Sequence, residues 1–519
     1  ARAWQQGQMS KMYRFLTDGA RKRTPAAAFA SAYRNDAMTA TLRKVRVTRV
    51  RRHGNGVELT VAAFTRAFGT VRGLIDLPVS NGRIDWDSSM TFPDKAGTAP
   101  LSRQTSAPER ASILARNGAV IATGPAAART QPAGPVAQSV AGSMGQPQTK
   151  AERDALTTRG FPAGTLVGSS GLERIAEQRL EGTPGGQLFS SGHILASSRP
   201  RPARAVRTTI DLGVQQAAVT ALAGRYGGVA ALDPRTAQVR ALAGIAFSGP
   251  QPPGSTFKIV TASAVLDAGL ARLSTPFPVE TKALIDGVDL ENANGESCGG
   301  TLAQAFAKSC NSVFAPLGVK VGAKRLVAQA ERFGWNRSPG IPGALPSTIP
   351  QASEITSPLA VGSTAIGQGK VLATPLQMAS VAQAIAENGV QTLPRLFPDE
   401  PRVRRRVLSR RVAHELEQMM IGVVAYGTGT SASLAPVKVA GKTGTAELTT
   451  TVKPDSGTTP PVQQGVAATP PGYNTDAWFT AYAPVRRPKV AVCVLIVHGG
   501  AGGSTAAPAA RSVLQAGLG

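Results

Sequence analysis

The alternation of apolar and polar residues predicts helices and strands near the start of the chain. Apolar residues recur at helical spacing over residues 12–33, and two alternating segments, 43–50 and 57–61, follow them. Gly and Asn at 53–56, between the two segments, are typical of a hairpin turn. These elements predict a small α+β domain.

The C-terminal part of the chain contains a second set of predicted elements. Asp211 precedes a helical pattern and is expected to cap that helix, and a hairpin is predicted over 228–242. Strand-like segments at 477–482 and 489–497 are followed by a helical pattern at 506–518. Terminal helices against an antiparallel sheet, with a helical middle, indicate an α/β sandwich.

The region between these two parts has little periodicity. Residues 93–110 are polar and rich in Pro, Ser and Thr, which is typical of a linker, and one clear helical pattern follows at 171–180. The predicted domains are therefore a spacer at 1–100, a linker region at 101–206 and a third domain at 207–519.

Composition and charge narrow the class of protein. The chain has 519 residues, enough for two or three domains, and its longest apolar run, 490–497, is too short to span a membrane. The 57 Lys and Arg residues oppose 31 Asp and Glu, a formal net charge of +26, which favours anionic partners. No nucleic-acid motif is found, and the basic residues are scattered except at 43–52 and 402–411. A generally solvated basic surface is the alternative.

The sequence also contains a candidate nucleophile beside a candidate base. Breaker residues at 248–253 precede an apolar segment, so a helix is predicted to begin near Ser255. Ser255 and Lys258 then lie on one helical face, with Cβ atoms about 5–6 Å apart, and the amine is expected to reach the hydroxyl. A serine hydroxyl needs such a base, and helix N-terminal N–H groups suit a developing oxyanion. Alone, this spacing is common enough to arise by chance.

Two further motifs follow in order along the chain. Ser309-Cys310-Asn311 comes after a short helical run, and Lys442-Thr443-Gly444-Thr445 comes after a strand-like segment. The set S-x-x-K, S-x-N and K-T-G is typical of penicillin-binding proteins and class A β-lactamases, with Cys310 here in place of Asp. Other segments with the family's pattern are 113–118, 229–236, 367–369 and 374–379. Over residues 105–519, the sequence resembles a class B penicillin-binding protein.

This resemblance implies a multidomain α+β fold. The third domain would be a penicillin-binding, serine β-lactamase-like α/β sandwich, with an antiparallel five-stranded sheet flanked by helices and an all-helical subdomain. Residues 101–206 would form an extended pedestal. Residues 1–100 resemble the small cone-shaped α+β domain of low-affinity, penicillin-resistant transpeptidases. The family's single N-terminal membrane anchor would precede residue 1, and the expected location is the extracytoplasmic face of the bacterial cell membrane.

The resemblance also implies the activity of a peptidoglycan D,D-transpeptidase and a role for each motif residue. Ser255 would attack the penultimate D-Ala carbonyl of a D-Ala-D-Ala stem peptide, Lys258 would accept its proton, and Ser309 would pass a proton to the leaving amine. Asn311 would orient the substrate amide, and Lys442 would provide a positive field. The terminal carboxylate would be bound by Thr443, Gly444 and Thr445. β-Lactams would acylate Ser255, and no metal or organic cofactor is required.

The expected partners are stem peptides, β-lactam antibiotics, cell-wall synthesis proteins such as a lipid II polymerase, and an anionic membrane or cell wall, without nucleic acid. A D,D-carboxypeptidase or β-lactamase would instead pass the acyl group to water, and a β-lactam receptor or divisome scaffold would not turn over peptide. The Thr-, Pro- and Gln-rich segment 448–474 is either disordered or a flap over the cleft.

Cysteine and histidine usage argues against other mechanisms. The three cysteines, Cys298, Cys310 and Cys493, form no framework and have no metal-site spacing. Cys298 and Cys310 could pair in an oxidising exterior, but a disulfide within S-x-N would restrain the catalytic loop, so they are expected to be free. The four histidines lie far from every motif, which makes a Ser-His-Asp mechanism improbable.

Overall fold

The computed structural model describes residues 1–447 and 474–519. The suggested flap at 448–474 therefore lies, apart from Asn474, outside the described residues. The chain divides into two compact units, which are described separately. The first unit contains residues 1–113, 120–132 and 141–206, and the second contains residues 114–119, 133–140 and 207–519. The predicted boundaries at residues 100 and 206 stay a prediction.

The elements up to residue 207 are short and mixed. The helices are α1 (Arg2–Gln5), α2 (Met9–Tyr13), α3 (Asp18–Arg23), α4 (Ala26–Thr39), α5 (Pro135–Ala141), α6 (Lys150–Arg159), α7 (Gly171–Ile175) and α8 (Glu177–Leu180). The strands are β1 (Leu42–His53), β2 (Gly56–Thr65), β3 (Thr70–Ser80), β4 (Arg83–Ile84), β5 (Ser102–Ser106), β6 (Ile113–Leu114), β7 (Val120–Ala122), β8 (Met144–Gly145), β9 (Val167–Gly168), β10 (Gly185–Ser190), β11 (His193–Ser198) and β12 (Val206–Arg207).

The first unit begins with an antiparallel sheet in the order β1-β2-β3-β4. The predicted hairpin is confirmed, because β1 pairs with β2 up to His53 opposite Gly56. Aromatic side chains of α4 fill the core of this part: Phe29 lies edge-on to Trp86 with ring centroids 4.7 Å apart. The inward-facing residues of the strands and the apolar residues of the helix thus pack into one common core.

Two local predictions for the first unit are wrong. Residues 93–110 are not simply a linker, because β5 pairs with β10 in a three-stranded antiparallel sheet, β11-β10-β5. Strand β5 is short and polar, so its sequence has no clear strand pattern, and its partner β10 lies far along the chain. The single helix predicted at 171–180 is interrupted at Ala176, where φ is −97° and ψ is 9°.

The second unit contains the remaining elements. The helices are α9 (Leu212–Leu222), α10 (Lys258–Asp267), α11 (Leu302–Ala307), α12 (Asn311–Val321), α13 (Ala323–Phe333), α14 (Pro358–Ala365), α15 (Pro375–Ala386), α16 (Arg410–Ala425) and α17 (Ala506–Leu518). The strands are β13 (Gly227–Leu232), β14 (Val239–Gly244), β15 (Pro276–Glu280), β16 (Lys282–Ile285), β17 (Val288–Glu291), β18 (Cys298–Thr301), β19 (Val390–Thr392), β20 (Arg404–Arg406), β21 (Ala440–Glu447), β22 (Thr475–Ala483) and β23 (Val490–Ile496).

The predicted α/β sandwich is confirmed. Five antiparallel strands lie in the order β14-β13-β23-β22-β21. Helices α9 and α17 bury their apolar faces against one side of this sheet. Asp211 caps α9 as predicted, because its carboxylate accepts hydrogen bonds from Gly213 N and Val214 N. Helix α15 lies against the other side, where Thr480 Oγ1 donates to Met378 O over 2.9 Å.

The order of the strands determines where the motifs meet. Strand β21, which contains Lys442, lies at one edge of the sheet and pairs with β22, so that Lys442 is opposite Thr480. The helices α10 to α16 come between β14 and β21 in sequence, and α16 packs against β21. The edge strand therefore faces the helical subdomain. No helix in the described part of the chain is both long enough and apolar enough to cross a membrane.

Candidate active site

Ser255 lies at the start of the helical subdomain. It belongs to a short 3-10 helix, Gly254–Phe257, that continues directly into α10. Gly254 has a φ of +50°, a conformation that favours glycine, and a Cβ atom there would lie 2.7 Å from Thr445 O. This turn, residues 254–257, is called the nucleophile turn after the predicted role of Ser255; it approaches the backbone of β21 closely, while the side chain of Ser255 is partly exposed.

Lys258 is fully buried one helical turn beyond Ser255. Its Nζ donates to Ser309 O over 2.5 Å and to Asn311 Oδ1 over 2.6 Å, and it lies 3.4 Å from Ser309 Oγ. Within residues 1–447 and 474–519 the structure has no hydrogen bond between Lys258 and Ser255, although the helical spacing predicts one. Burial lowers the pKa of Lys258 well below its usual value, and the nearby charge of Lys442 lowers that pKa further.

Ser309 lies between α11 and α12 in an unusual conformation. Its φ is +63°, in the left-handed region that non-glycine residues rarely adopt. Cys310 is the N-cap of α12 and is bonded to Cys298, which corrects the expectation of free thiols. Cysteine spacing allowed this pairing but could not decide it, because the bond depends on the paired strands of residues 276–301, which return the chain to the motif.

Lys442 approaches Ser309 from the edge strand. Its Nζ donates to Ser309 Oγ over 2.8 Å and to Thr443 O over 3.0 Å. The side chain is fully buried, and this burial lowers the pKa of Lys442 to about 7. The hydroxyl of Ser309 therefore lies between two buried lysine amines, which brings the S-x-x-K, S-x-N and K-T-G motifs together.

The other K-T-G residues have different surroundings. The Thr443 hydroxyl is buried and is 2.5 Å from Thr428 Oγ1, whereas Thr445 is partly exposed and its Oγ1 accepts a hydrogen bond from Gly502 N. A Cβ atom at Gly444 would lie 2.8 Å from Pro253 O, so a glycine allows β21 to pack against the nucleophile turn. The roles assigned to these residues stay predictions.

Several residues of the site had no role in the sequence analysis. Gly254 N donates to Gly367 O over 3.0 Å, so the G-Q-G segment supports the nucleophile turn. The ring centroid of Phe314 lies 5.8 Å from Lys258 Nζ, and the ring centroid of Phe306 lies 5.5 Å from Lys442 Nζ. Aromatic residues flanking S-x-N were the available signal for these two contacts, which place each lysine amine near an aromatic ring.

The first unit contains a group of possible metal ligands. Within the described residues, one group has donor atoms close enough to share a metal ion: His53, Glu58 and Asp76, whose ligand atoms lie within 4.8 Å of one another. These side chains belong to the sheet of the first unit and include none of the motif residues. The motif residues instead offer a hydroxyl nucleophile and an amine whose pKa favours the neutral form, as acyl transfer requires.

Comparison with known proteins identifies the family. Residues 227–515 match the penicillin binding protein transpeptidase domain, and residues 120–194 match the penicillin-binding protein dimerisation domain. Peptidoglycan D,D-transpeptidase PbpA of Mycolicibacterium smegmatis is 33% identical over 421 residues, covering 67% of this chain and 80% of PbpA. The chain is a class B penicillin-binding protein.

Solved structures agree with this class B penicillin-binding protein in fold. The D,D-transpeptidase domain of a peptidoglycan glycosyltransferase from Eggerthella lenta has a TM-score of 0.62 and 29% identity, covering 79% of this chain and 98% of that one. The ceftriaxone acyl-enzyme complex of penicillin-binding protein A from M. tuberculosis has a TM-score of 0.60 and 28% identity, with coverages of 79% and 98%. The likeness of residues 1–100 to low-affinity transpeptidases stays a prediction.

Proposed function

We propose that this class B penicillin-binding protein is a peptidoglycan D,D-transpeptidase that crosslinks stem peptides through a serine acyl-enzyme and binds β-lactams covalently. The observation that supports this most directly is the position of Ser309 Oγ between the buried amines of Lys258 and Lys442, which brings the three motifs together. A relative with the same domain, PbpA, is a peptidoglycan D,D-transpeptidase, and penicillin-binding protein A of M. tuberculosis forms acyl-enzymes with β-lactams.

In the first half-reaction, Ser255 Oγ attacks the carbonyl carbon of the penultimate D-Ala, and Lys258 accepts the hydroxyl proton. Lys258 can do so because its lowered pKa favours the neutral amine. The C–N bond to the terminal D-Ala then breaks, and Ser309 relays a proton to the leaving amine. Lys442, which is within hydrogen-bond distance of Ser309 Oγ, supports that relay.

In the second half-reaction, an amine of another stem peptide attacks the ester carbonyl, the new amide forms, and Ser255 recovers its proton. The backbone N–H groups of Ser255 and Thr445 would form the oxyanion hole in both steps. The close approach of Gly254 to Thr445 O supports this pairing. Each such donor contributes roughly 10²–10³ in rate. Asn311 and the hydroxyls of Thr443 and Thr445 would hold the substrate amide and its terminal carboxylate.

We further propose that the enzyme works at the extracytoplasmic face of the bacterial membrane, through an N-terminal anchor, beside a lipid II polymerase. A polymerase supplies the uncrosslinked glycan strands that a transpeptidase of this kind consumes. The net charge of +26 supports a position against an anionic membrane and cell wall.

Intact mass after incubation with a penicillin tests the proposed function. The wild-type chain is expected to gain one penicillin per molecule, and Ser255→Ala is expected to gain none. Ser263→Ala, on the same α10, is the control, because the Ser263 hydroxyl donates to Val260 O away from the motifs. Consumption of the drug without an adduct would instead indicate a β-lactamase. No adduct with unconsumed drug would contradict the proposal.

A stem peptide distinguishes transpeptidation from hydrolysis. With a D-Ala-D-Ala pentapeptide and an amine acceptor, mass spectrometry is expected to show the aminolysis product and released D-Ala. Release of D-Ala without the product would indicate a D,D-carboxypeptidase. An enzyme acylated by penicillin that leaves the peptide unchanged would fit a receptor or scaffold.

A further inference from the structure

The chain leaves the helical subdomain between α10 and α11 and returns to the S-x-N motif. This excursion, residues 276–301, consists of two antiparallel strand pairs, β15 with β18 and β16 with β17. Its tip contains none of the motif residues. Its base, however, is joined to the first turn of α12 by hydrogen bonds and by the Cys298–Cys310 disulfide.

Asn292 is the centre of this connection. It is buried, and its Oδ1 accepts a hydrogen bond from Ser312 N over 2.9 Å. Its Nδ2 donates to Glu280 O over 2.7 Å and to Glu296 O over 2.9 Å. All the hydrogen-bonding groups of one amide therefore connect two points of the excursion to the start of the helix.

Helix α12 needs this acceptor because its own N-cap cannot supply one. The first amides of a helix have no partner within the helix, and a capping side chain usually accepts from one of them. Cys310 is the N-cap of α12 and makes no capping hydrogen bond with its side chain. Asn292 thus supplies, from a separate segment, the cap that the local sequence lacks.

The cap has consequences for the two residues on either side of Cys310. Ser309 adopts a φ of +63°, a strained conformation for a non-glycine residue that persists only where neighbouring structure enforces it. Asn311 is the first residue of α12, and its Nδ2 donates to Glu291 O of the excursion over 2.6 Å. In these positions Ser309 O and Asn311 Oδ1 both accept from Lys258 Nζ.

We infer that Asn292 is a positioning residue for acyl transfer: by capping α12 from the excursion, it holds Ser309 and Asn311 against Lys258. The inference rests on the proposed function, because it concerns the same three motif side chains. Asn292 itself touches none of the reacting groups, and it acts through the backbone of Ser312.

The test is the second-order rate of acylation by a fluorescent penicillin, with thermal unfolding followed in parallel. Asn292→Ala removes the helix cap and the geometry that the cap holds. Its acylation rate is therefore expected to be about tenfold lower than that of the wild type. Asn292→Asp keeps an oxygen acceptor for Ser312 N but replaces the two donors to Glu280 O and Glu296 O by an acceptor, so its rate is also expected to fall below that of wild type.

Asn336 offers a control for the loss of a bridging amide, although it is exposed and Asn292 is buried. Asn336 is also a bridging asparagine, whose Oδ1 accepts from Ile349 N over 3.0 Å and whose Nδ2 donates to Ile349 O over 3.0 Å. Asn336→Ala is expected to lower the melting temperature but to acylate within twofold of wild type. If Asn292→Ala does not fold, Asn292→Asp and Asn336→Asp provide the same comparison.

A double-mutant cycle separates positioning from a general loss of stability. In an Asn311→Ala background one of the groups that Asn292 holds is already gone, so Asn292→Ala is expected to slow acylation by less than threefold. A purely structural role would give the same factor in both backgrounds, and that result would overturn the inference.

The remaining outcomes distinguish this inference from the function on which it rests. If the wild-type chain is not acylated at Ser255, the proposed function fails and the inference fails with it. If the wild type is acylated and Asn292→Ala reacts at the same rate, the inference alone is overturned.

Discussion

Lys258 and Lys442 are both fully buried, and both lie within 3.4 Å of Ser309 Oγ. Two ammonium ions at this separation repel one another, so one of them loses its proton first. Burial lowers the pKa of Lys258 and the charge of Lys442 lowers it further, whereas burial brings the pKa of Lys442 to about 7. We therefore expect the reactive form to have a neutral Lys258 and a charged Lys442.

The pH dependence of acylation follows from this order. The rate is expected to rise with pH as Lys258 loses its proton, and to fall again as Lys442 loses its charge near its pKa of about 7. Acylation rates measured between about pH 5 and pH 9 on a stable β-lactam check this. Lys308→Met, which removes an exposed lysine beside the motif, is expected to leave the profile unchanged. A rate that rises steadily to the highest pH would show that the charge of Lys442 is not required.

Between elements, backbone contacts decide how closely the motifs can approach. The turn that contains Ser255 is supported on one side by the segment between α14 and α15, through the hydrogen bond from Gly254 N to Gly367 O. A Cβ atom at Gly367 would overlap the carbonyl oxygen of Gly254. On the other side, a Cβ atom at Gly444 would lie 2.8 Å from Pro253 O.

The G-Q-G segment allows a matched test of this packing. Gly367→Ala is expected to slow acylation at least about tenfold, because the turn must shift to accommodate the methyl group. Gly369 also has a positive φ, +73°, but no atom lies within 4 Å of a Cβ added there. Gly369→Ala is therefore expected to lose some stability and to retain its acylation rate. Equal effects of the two substitutions would show that backbone conformation, and not the contact with Gly254, matters.

The elements also show what the sequence can and cannot reveal. Periodicity predicted the hairpin of β1 and β2 and the helix that Asp211 caps, because both depend on residues close together in the chain. Strand β5 was missed because its pairing with β10 is non-local. The Cys298–Cys310 disulfide and the hydrogen bond from Gly254 N to Gly367 O depend on how the chain folds. Motif spacing thus indicated the participants in the site but not their contacts: Lys258 bonds to Ser309 and Asn311.

Across the whole molecule, buried ion pairs contrast with a basic surface. In the first unit Lys95 Nζ lies 2.6 Å from Asp36 Oδ2, with both side chains almost completely buried, and Leu101 N also donates to Asp36. The Lys150–Asp154 pair is similarly short, 2.5 Å, but both side chains are largely exposed. Burial, and not distance, should decide what each pair contributes to the free energy of unfolding.

Removing one partner of each pair tests that contrast. Asp36→Ala leaves the Lys95 amine buried without its carboxylate and is expected to lower the free energy of unfolding of the first unit by about 3–5 kcal/mol. Asp154→Ala is expected to change that free energy by less than about 0.5 kcal/mol, because its partner remains solvated. Urea denaturation of the two variants beside the wild type measures both values. Similar losses would contradict the assignment of stability to the buried pair.

The net charge of +26 makes a separate prediction for the intact chain. Attraction between exposed charges is screened by salt, with a Debye length of about 8 Å at physiological ionic strength. The chain is therefore expected to sediment with vesicles that contain anionic phosphatidylglycerol, less so as salt rises, and not with neutral phosphatidylcholine vesicles. Binding to both kinds of vesicle, insensitive to salt, would contradict an electrostatic origin.

The covalent link between Cys298 and Cys310 has a consequence for how this enzyme matures. The two sulfur atoms join residues 12 apart in sequence, and one of them belongs to the residue between Ser309 and Asn311. Such a bond forms and persists in oxidising compartments and is rare in a reducing cytosol. Protein purified from a reducing cytoplasm and protein exported before oxidation would then be different chemical species within the S-x-N motif. Biosynthetic history, as well as sequence, would determine which form of the site meets its substrate.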